Sequence, residues 1–442
     1  MTGPLTEDEV DLLAADGTPS LRPSPRGRPS RVGGWRRRIR RWGYGTFLLT
    51  AAVVIPALYW IGVWTDGAFG ISIETVNMLG RYLALAMVAL SLDLLWGYTG
   101  MLCLCQSFFF SLGGYAMGMY LAHHGGEGGR LDSQGWNIPA CLYYLYPYKV
   151  GEVPEDALTP WFWKPFYWLP SAVGLGLLIP GLVALVIGFF VFRSRVRGVF
   201  FAVLTQAITL AAWLVFCMND MKLCGTNGLT RFDQIGGFPL YDDTTQFALY
   251  LITLALLVGI YLLCRLIVGS RLGRVLMAIR DNETRLRFAG YKPYTFKVFV
   301  FSLSAMIAGL AGMLYAPQMK IFTPTNMEVK ESIEVVVWVA VGGRGTLTGP
   351  VAGALVVNLL KNKLTSQQEF FWFLEGWVPE SLYTYLVWKQ AYWPFVLGAL
   401  FIVVVRLLPG GLAGLWRSVV SVSEGSAAVN QYGTRRPEGD RQ

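Results

Sequence analysis

The chain has 442 residues, 54% of them apolar and 14% aromatic, and only 15% carry a charge. A soluble domain carries about a quarter charged residues. Several runs of about 20 apolar residues instead define a multi-pass helical membrane chain, and the period-two alternation of a β-barrel is absent. The net charge of +9 is concentrated in an N-terminal arm and in short loops between apolar runs, which is a topology signal rather than a nucleic-acid footprint.

Residues 1–34 are rich in Pro, Gly, Ser and Arg and read as disordered, with no apolar run that would make a secretory signal. Together with the basic cluster Trp35-Arg36-Arg37-Arg38-Ile39-Arg40-Arg41 they form an arm over 1–43, and that cluster sets the N-terminus in the cytoplasm. A transmembrane domain is expected over 44–416, with spans at 44–64, 76–96, 101–122, 166–192, 199–218, 247–268, 298–316 and 393–408. Two shorter apolar pieces between 332 and 360 flank the run Gly342 to Gly349 and read as a broken, hairpin-like pair. The total is about 8–10 membrane-crossing helices in an all-α fold. Basic residues at Arg193, Arg195 and Arg197, across 269–296, and at Arg406 and Arg417 mark the inner side. The loops 123–165 and 361–392 are then periplasmic, and 417–442 is a disordered cytoplasmic tail.

Six cysteines show no zinc-ligand spacing. Cys103 and Cys105 read as small buried thiols, whereas Cys141 and Cys224 both fall in outer loops, where a disulfide is open to them. His123 and His124, together at the end of an apolar run, read as interface residues rather than metal ligands.

Two interruptions echo each other. Gly97-Tyr98-Thr99-Gly100-Met101-Leu102 precedes the Gly-rich piece at Gly113-Gly114, and Gly342-Gly343-Arg344-Gly345-Thr346-Leu347 precedes Gly349-Pro350. Paired breaks of this kind point to a solute path, because unwound backbone needs a partner, and they suggest an internal pseudo-repeat. Close helix packing through glycine is the plain alternative. Asp93 lies deep in an apolar run and needs either a partner or a wet cavity. Thr205, Gln206 and Thr209 fall roughly on one side of a helix, where they either bind a neutral polar solute or hold helices together. Thr99, Gln106, Gly343 and Thr346 complete the candidate pathway set.

The segment from Arg271 to Pro293 is a polar insert with an apolar stripe at Leu272, Val275, Leu276, Ile279, Leu286 and Ala289. Gly290 and Pro293 end it. It is either a solvated connector or an amphipathic helix whose stripe, with no core of its own to join, docks in a partner's groove. The run Ala278-Ile279-Arg280-Asp281-Asn282-Glu283, followed by Gly290, resembles the coupling loop of ABC importer permeases. With the GYTG and GGRGTL runs it resembles the branched-chain amino acid permease family over about 80–410.

Finer matches resemble the urea-importing branch of that family. They include Leu92 to Gly100, Gly113 to Tyr120, Leu204 to Thr209, Gly225 to Thr230 and Trp338 to Leu347. Cys103 and Cys105 depart from the small polar residues usual there. The resemblance implies half of a urea pathway in an ATP-driven importer of the inner membrane. It implies a second, homologous permease, two cytoplasmic ATPases that use the ATP, and a periplasmic solute-binding protein. It assigns ATPase coupling to Arg274, Ile279, Arg280, Asp281, Asn282, Glu283 and Gly290. No cofactor, metal or catalytic residue is expected on the chain, which has no Gly-Lys dipeptide and hence no P-loop. Branched-chain amino acids or short amides are the alternative cargo, and a stand-alone secondary transporter or channel is the reading from another class.

Overall fold

The computed structural model describes residues 72–125, 138–139, 141–142, 159–194, 196, 198–365 and isolated positions between 395 and 414. The N-terminal arm, the 44–64 span, the tail after 417 and most of the 123–165 and 361–392 loops lie outside the described residues. The last span is described only at isolated positions.

Two antiparallel helices make the centre. Helix α1 (Ile73–Thr99) starts from the Ser72 cap, whose hydroxyl accepts from Thr75 N–H, and ends at Gly100 in the left-handed conformation. It is followed by α2 (Gln106–His123), α3 (Leu169–Arg193) and α4 (Val199–Cys217). Helix α5 (Asp243–Gly269) leads into α6 (Arg271–Phe288), and α7 (Pro293–Met319) returns through the middle. Helices α8 (Val329–Gly342) and α9 (Thr348–Thr365) form the hairpin. Among the described residues, α1, α3, α4, α5 and α7 are long and apolar enough to cross a membrane. The most apolar stretch of α1 is 78% buried and that of α4 only 22%, so α1 is core and α4 is rim. Bare apolar side chains such as Phe200 and Leu266 belong on a lipid-facing or partner-facing rim. The protein is an all-α polytopic membrane protein.

Helix α7 approaches α2 and α3 without side chains in the way. A Cβ on Gly113 would lie 2.0 Å from Gly309 O, and one on Gly312 would lie 1.9 Å from Phe110 O. Gly113 of α2 and Gly312 of α7 therefore serve helix packing, as small residues do inside bilayers.

Helix α2 starts well inside the bundle. The rise from Ser91 to Gly100 is about 14 Å along α1, and the non-helical residues 101–105 run back about that far. Gln106 consequently sits level with Ser91, whose hydroxyl is 3.3 Å from Gln106 Oε1. This re-entry explains why α2 is shorter than the span expected from the apolar run.

The 332–360 region, expected as a broken, hairpin-like pair, is a hairpin: α8 and α9 pack antiparallel along most of α1. The hairpin touches Asp93 and Tyr98 at its turn, and its Asn362 Nδ2 is 3.0 Å from Met78 Sδ at the far end. Gly342 and Gly353 allow this pairing, since a Cβ on Gly353 would lie 2.1 Å from Trp338 O.

At the end of the bundle remote from α6, loops form a crown. Leu229 and Phe322 exchange backbone hydrogen bonds of 2.8 and 2.9 Å, which docks the Gly225–Thr230 run onto the loop after α7. A two-residue ribbon, β1 (Gln234–Ile235) with β2 (Phe238–Pro239), closes through Gly236 and Gly237 at positive φ. Cys141 and Cys224 are joined by a disulfide. His123 is buried against the rings of Trp163 and Tyr167, an interface residue, and no metal-ligand cluster occurs among the described residues.

Candidate functional site

Both interruptions meet at one end of α1. The turn between α8 and α9 is held by Asp93, which is fully buried and accepts from Gly345 N–H at 2.6 Å and from Leu347 N–H at 3.2 Å. Tyr98 Oη donates to Gly345 O at 3.1 Å, and Arg344 Nε donates to Trp96 O at 3.0 Å with its guanidinium over the Trp96 ring. Thr346 Oγ donates to Gly343 O and accepts from Gly349 N–H, capping the start of α9. Gly97 makes the approach possible, because a Cβ there would lie 2.3 Å from Asp93 Oδ1 and 2.8 Å from Gly345 N. Asp93 therefore has the partner that a buried carboxylate requires, in two backbone N–H groups.

The other interruption, 101–105, is satisfied differently. Thr205 accepts from Leu104 N–H at 3.1 Å, and Thr209, one turn on, donates to Leu104 O at 3.1 Å. Two hydroxyls of α4 thus take over the two backbone groups that a helix would have paired. Gln206 points away from this pair and is half-buried. Thr99 Oγ1 donates back to Leu95 O within its own helix. Gln106 joins a buried knot in which its Nε2 donates to Ser304 Oγ at 2.9 Å and Ser304 donates to Ser91 O at 2.8 Å. This knot ties α1, α2 and α7 together.

Helix α6 crosses the same end. Ser270 caps it, and Gly290 closes it at φ 84° with Gly290 N–H donating to Arg287 O and Tyr291 N–H to Leu286 O. It is two segments, broken at Asn282, whose φ of −159° and ψ of 93° are not helical. Asn282 Oδ1 accepts from Arg285 N–H at 3.0 Å and so caps the second segment. Glu283 pairs with Arg287 at 2.6 Å and with Lys297 of α7 at 2.9 Å. Arg280 pairs with Asp281 and donates from Nη1 to Gly97 O at 2.9 Å.

The apolar stripe of α6 needs a correction. It was expected to lack a core of its own, yet Leu276 and Ile279 are buried against this chain's bundle, with Gly273 beside them. The stripe thus anchors α6 on this chain's own bundle. The outward face carries Arg271, Arg274, Asp281, Arg285 and Phe288 instead.

The candidate residues thus fall into a junction and two structural ties. Asp93, Gly343 and Thr346 meet beside Gly97 and Arg280, Thr205 and Thr209 sit on the first break, and Gln106 lies in the knot. A cavity of about 300 Å³ lies elsewhere, toward the end of α1 remote from α6, and none of the candidate pathway residues lines it. Arg81 does line it. The rule that singled out Asp93, an ionisable residue inside an apolar run, applied equally to Arg81.

A buried helical bundle with a re-entrant segment, a membrane hairpin and a charged surface helix is the architecture of a membrane transport component. A family model described as "Branched-chain amino acid transport system / permease component" matches residues 74–405. The chain belongs to that family and is a non-catalytic permease component. It is 23% identical over 367 residues to the high-affinity branched-chain amino acid transport system permease protein LivM of Escherichia coli, covering 76% of this chain and 74% of LivM. The LivM protein of Salmonella typhimurium is equally similar, at 23% over 365 residues with the same shares covered. The ribose import permease protein RbsC of Escherichia coli is 28% identical over 202 residues, covering 44% of this chain and 60% of RbsC. No solved structure matches the chain.

Proposed function

We propose that this chain is one permease subunit of an ATP-driven importer and forms half of a urea pathway. A second permease completes the pathway, two ATPases dock on the α6 face, and a periplasmic binding protein delivers solute to the opposite face. Both termini are cytoplasmic in this arrangement, and the membrane is the cell's inner membrane. ATP is used by the partner ATPases.

The observation that carries the coupling is the hydrogen bond from Arg280 to Gly97 O. It fastens α6 to the last turn of α1, beside the hairpin turn held by Asp93. The Glu283–Lys297 pair fastens the second segment of α6 to α7. A displacement of α6 by ATPase closure therefore reaches the two central helices, and the break at Asn282 lets the two segments move by different amounts. Transmission needs an element with two attachments, not merely a nearby loop.

Urea as cargo rests on the resemblance of the runs at 92–100, 204–209 and 225–230. Branched-chain amino acids are the second reading, favoured by the LivM relatives. Labelled urea and labelled leucine, offered to vesicles holding the chain with its candidate second permease, ATPases and binding protein, separate the two. ATP-dependent uptake of urea alone is the expected result. Uptake of leucine alone would move the cargo to the second reading, and transport persisting without the ATPases would overturn the importer reading. Arg280→Gln and Glu283→Gln are expected to lower ATP-driven uptake at least tenfold while the complex still hydrolyses ATP. Full uptake in both variants would remove α6 from the coupling path.

A further inference from the structure

The cavity of about 300 Å³ between α1, α2, α7, α8 and α9 has a feature that the fold does not explain. Most of its polar groups are paired. Lys361 Nζ holds both Glu334 oxygens at 2.9 and 2.8 Å, and Ser107 bonds Ser332. Two donors are not. Trp338 Nε1 and Arg81 Nε are buried with no hydrogen-bond partner, although Trp338 is only 2% exposed. Arg81 Nη1 reaches nothing better than Met319 Sδ, at 3.1 Å, a weak acceptor. Buried N–H groups are nearly always paired, so two orphans on one polar cavity ask for an acceptor inside it.

The lining also says what kind of acceptor. Arg81 and Lys361 stand with Glu331 and Glu334 in the lining, so the walls mix basic and acidic groups and suit a polar ligand. The two orphans are single N–H donors, one of them on a neutral indole, which suits a carbonyl oxygen. Glu331 brings carboxyl oxygens, which are acceptors suited to amide N–H groups. The volume holds a small amide together with several waters, each taking about 30 Å³.

We infer that this cavity is a binding site for a small neutral amide of the urea class, its carbonyl oxygen on Trp338 and Arg81 and its N–H groups on Glu331. The inference rests on the importer reading and adds a location that the pathway residues proposed from sequence do not occupy. With α6 facing the cytoplasm, the site lies toward the periplasmic side, where delivered solute enters.

The test uses the assembled complex in vesicles. Asn326, half-buried on the cavity wall, is changed to cysteine, and its labelling by a thiol reagent is followed against the unsubstituted chain as background. Urea is expected to slow labelling several-fold, and leucine is not. Adding Trp338→Phe, which keeps the ring and removes the N–H, is expected to abolish that protection and to cut urea uptake about tenfold. Labelling unaffected by urea, or protection that survives Trp338→Phe, would overturn the site. Protection by leucine alone would overturn the amide class. Because the labelling of Asn326→Cys is read without Trp338→Phe, a misfolded Trp338 variant does not leave the site untested. Wild-type vesicles without ATP-driven urea uptake would count against the importer reading, whereas normal uptake without protection would count against the cavity alone.

Discussion

The two chain breaks, 101–105 and 343–347, are unlike in how their backbone is satisfied. The first is paired by uncharged hydroxyls, Thr205 and Thr209 on a rim helix that is mostly exposed. The second is paired by the buried carboxylate of Asp93 on the central helix, reinforced by Tyr98 and Arg344. A charged acceptor roughly doubles the strength of a hydrogen bond, so the second break is the stiffer of the two. Arg280 lies beside both breaks, bonded to Gly97 O and packed against Gly100.

This difference is open to measurement. Asp93→Ala strips the acceptor from two buried N–H groups and is expected to cost about 3 kcal/mol or more, read as a large drop in unfolding temperature of the detergent-solubilised protein. A loss no greater than that of the threonine variants would erase the contrast. Gly97→Ala comes next, at about 1–3 kcal/mol, because its Cβ would push the hairpin turn off α1. Backbone amide exchange at Gly345 and Leu347 should rise in that variant. Thr205→Val leaves Leu104 N–H unpaired and is expected to cost about 1–2 kcal/mol. Thr209→Val should be the mildest, under about 1 kcal/mol, since Leu104 O keeps a second lone pair for other donors. Faster amide exchange confined to 101–105 would mark both threonine variants.

Some of this was open to inspection in the chain itself. The apolar runs at 166–192, 199–218 and 247–268 match α3, α4 and α5 to within a few residues, because length and apolarity are local properties. The stop at Gly290 was equally visible, since a left-handed closing residue favours glycine. The Asn282 break had a local signal in Asp281-Asn282, which favour caps over helix interiors, but the apolar stripe running past them read as one helix. The role of Thr205 and Thr209 stayed ambiguous for another reason. Their spacing placed them on one face, but only the position of Leu104, about a hundred residues earlier in the chain, decides what that face touches.

By itself, then, the sequence determined the helical membrane class, most span boundaries, the amphipathic character of α6 and the family. All of these follow from patterns within about 20 residues or from runs of matching residues. Only the tertiary structure decided that the apolar stripe of α6 is anchored on its own bundle. It likewise decided that Asp93 grips a turn some 250 residues away, and that Arg81 and Trp338 share a cavity. The physical reason is the same in each case. A buried polar group takes its meaning from whichever partner reaches it, and that partner is chosen by the packing of helices far apart in the chain.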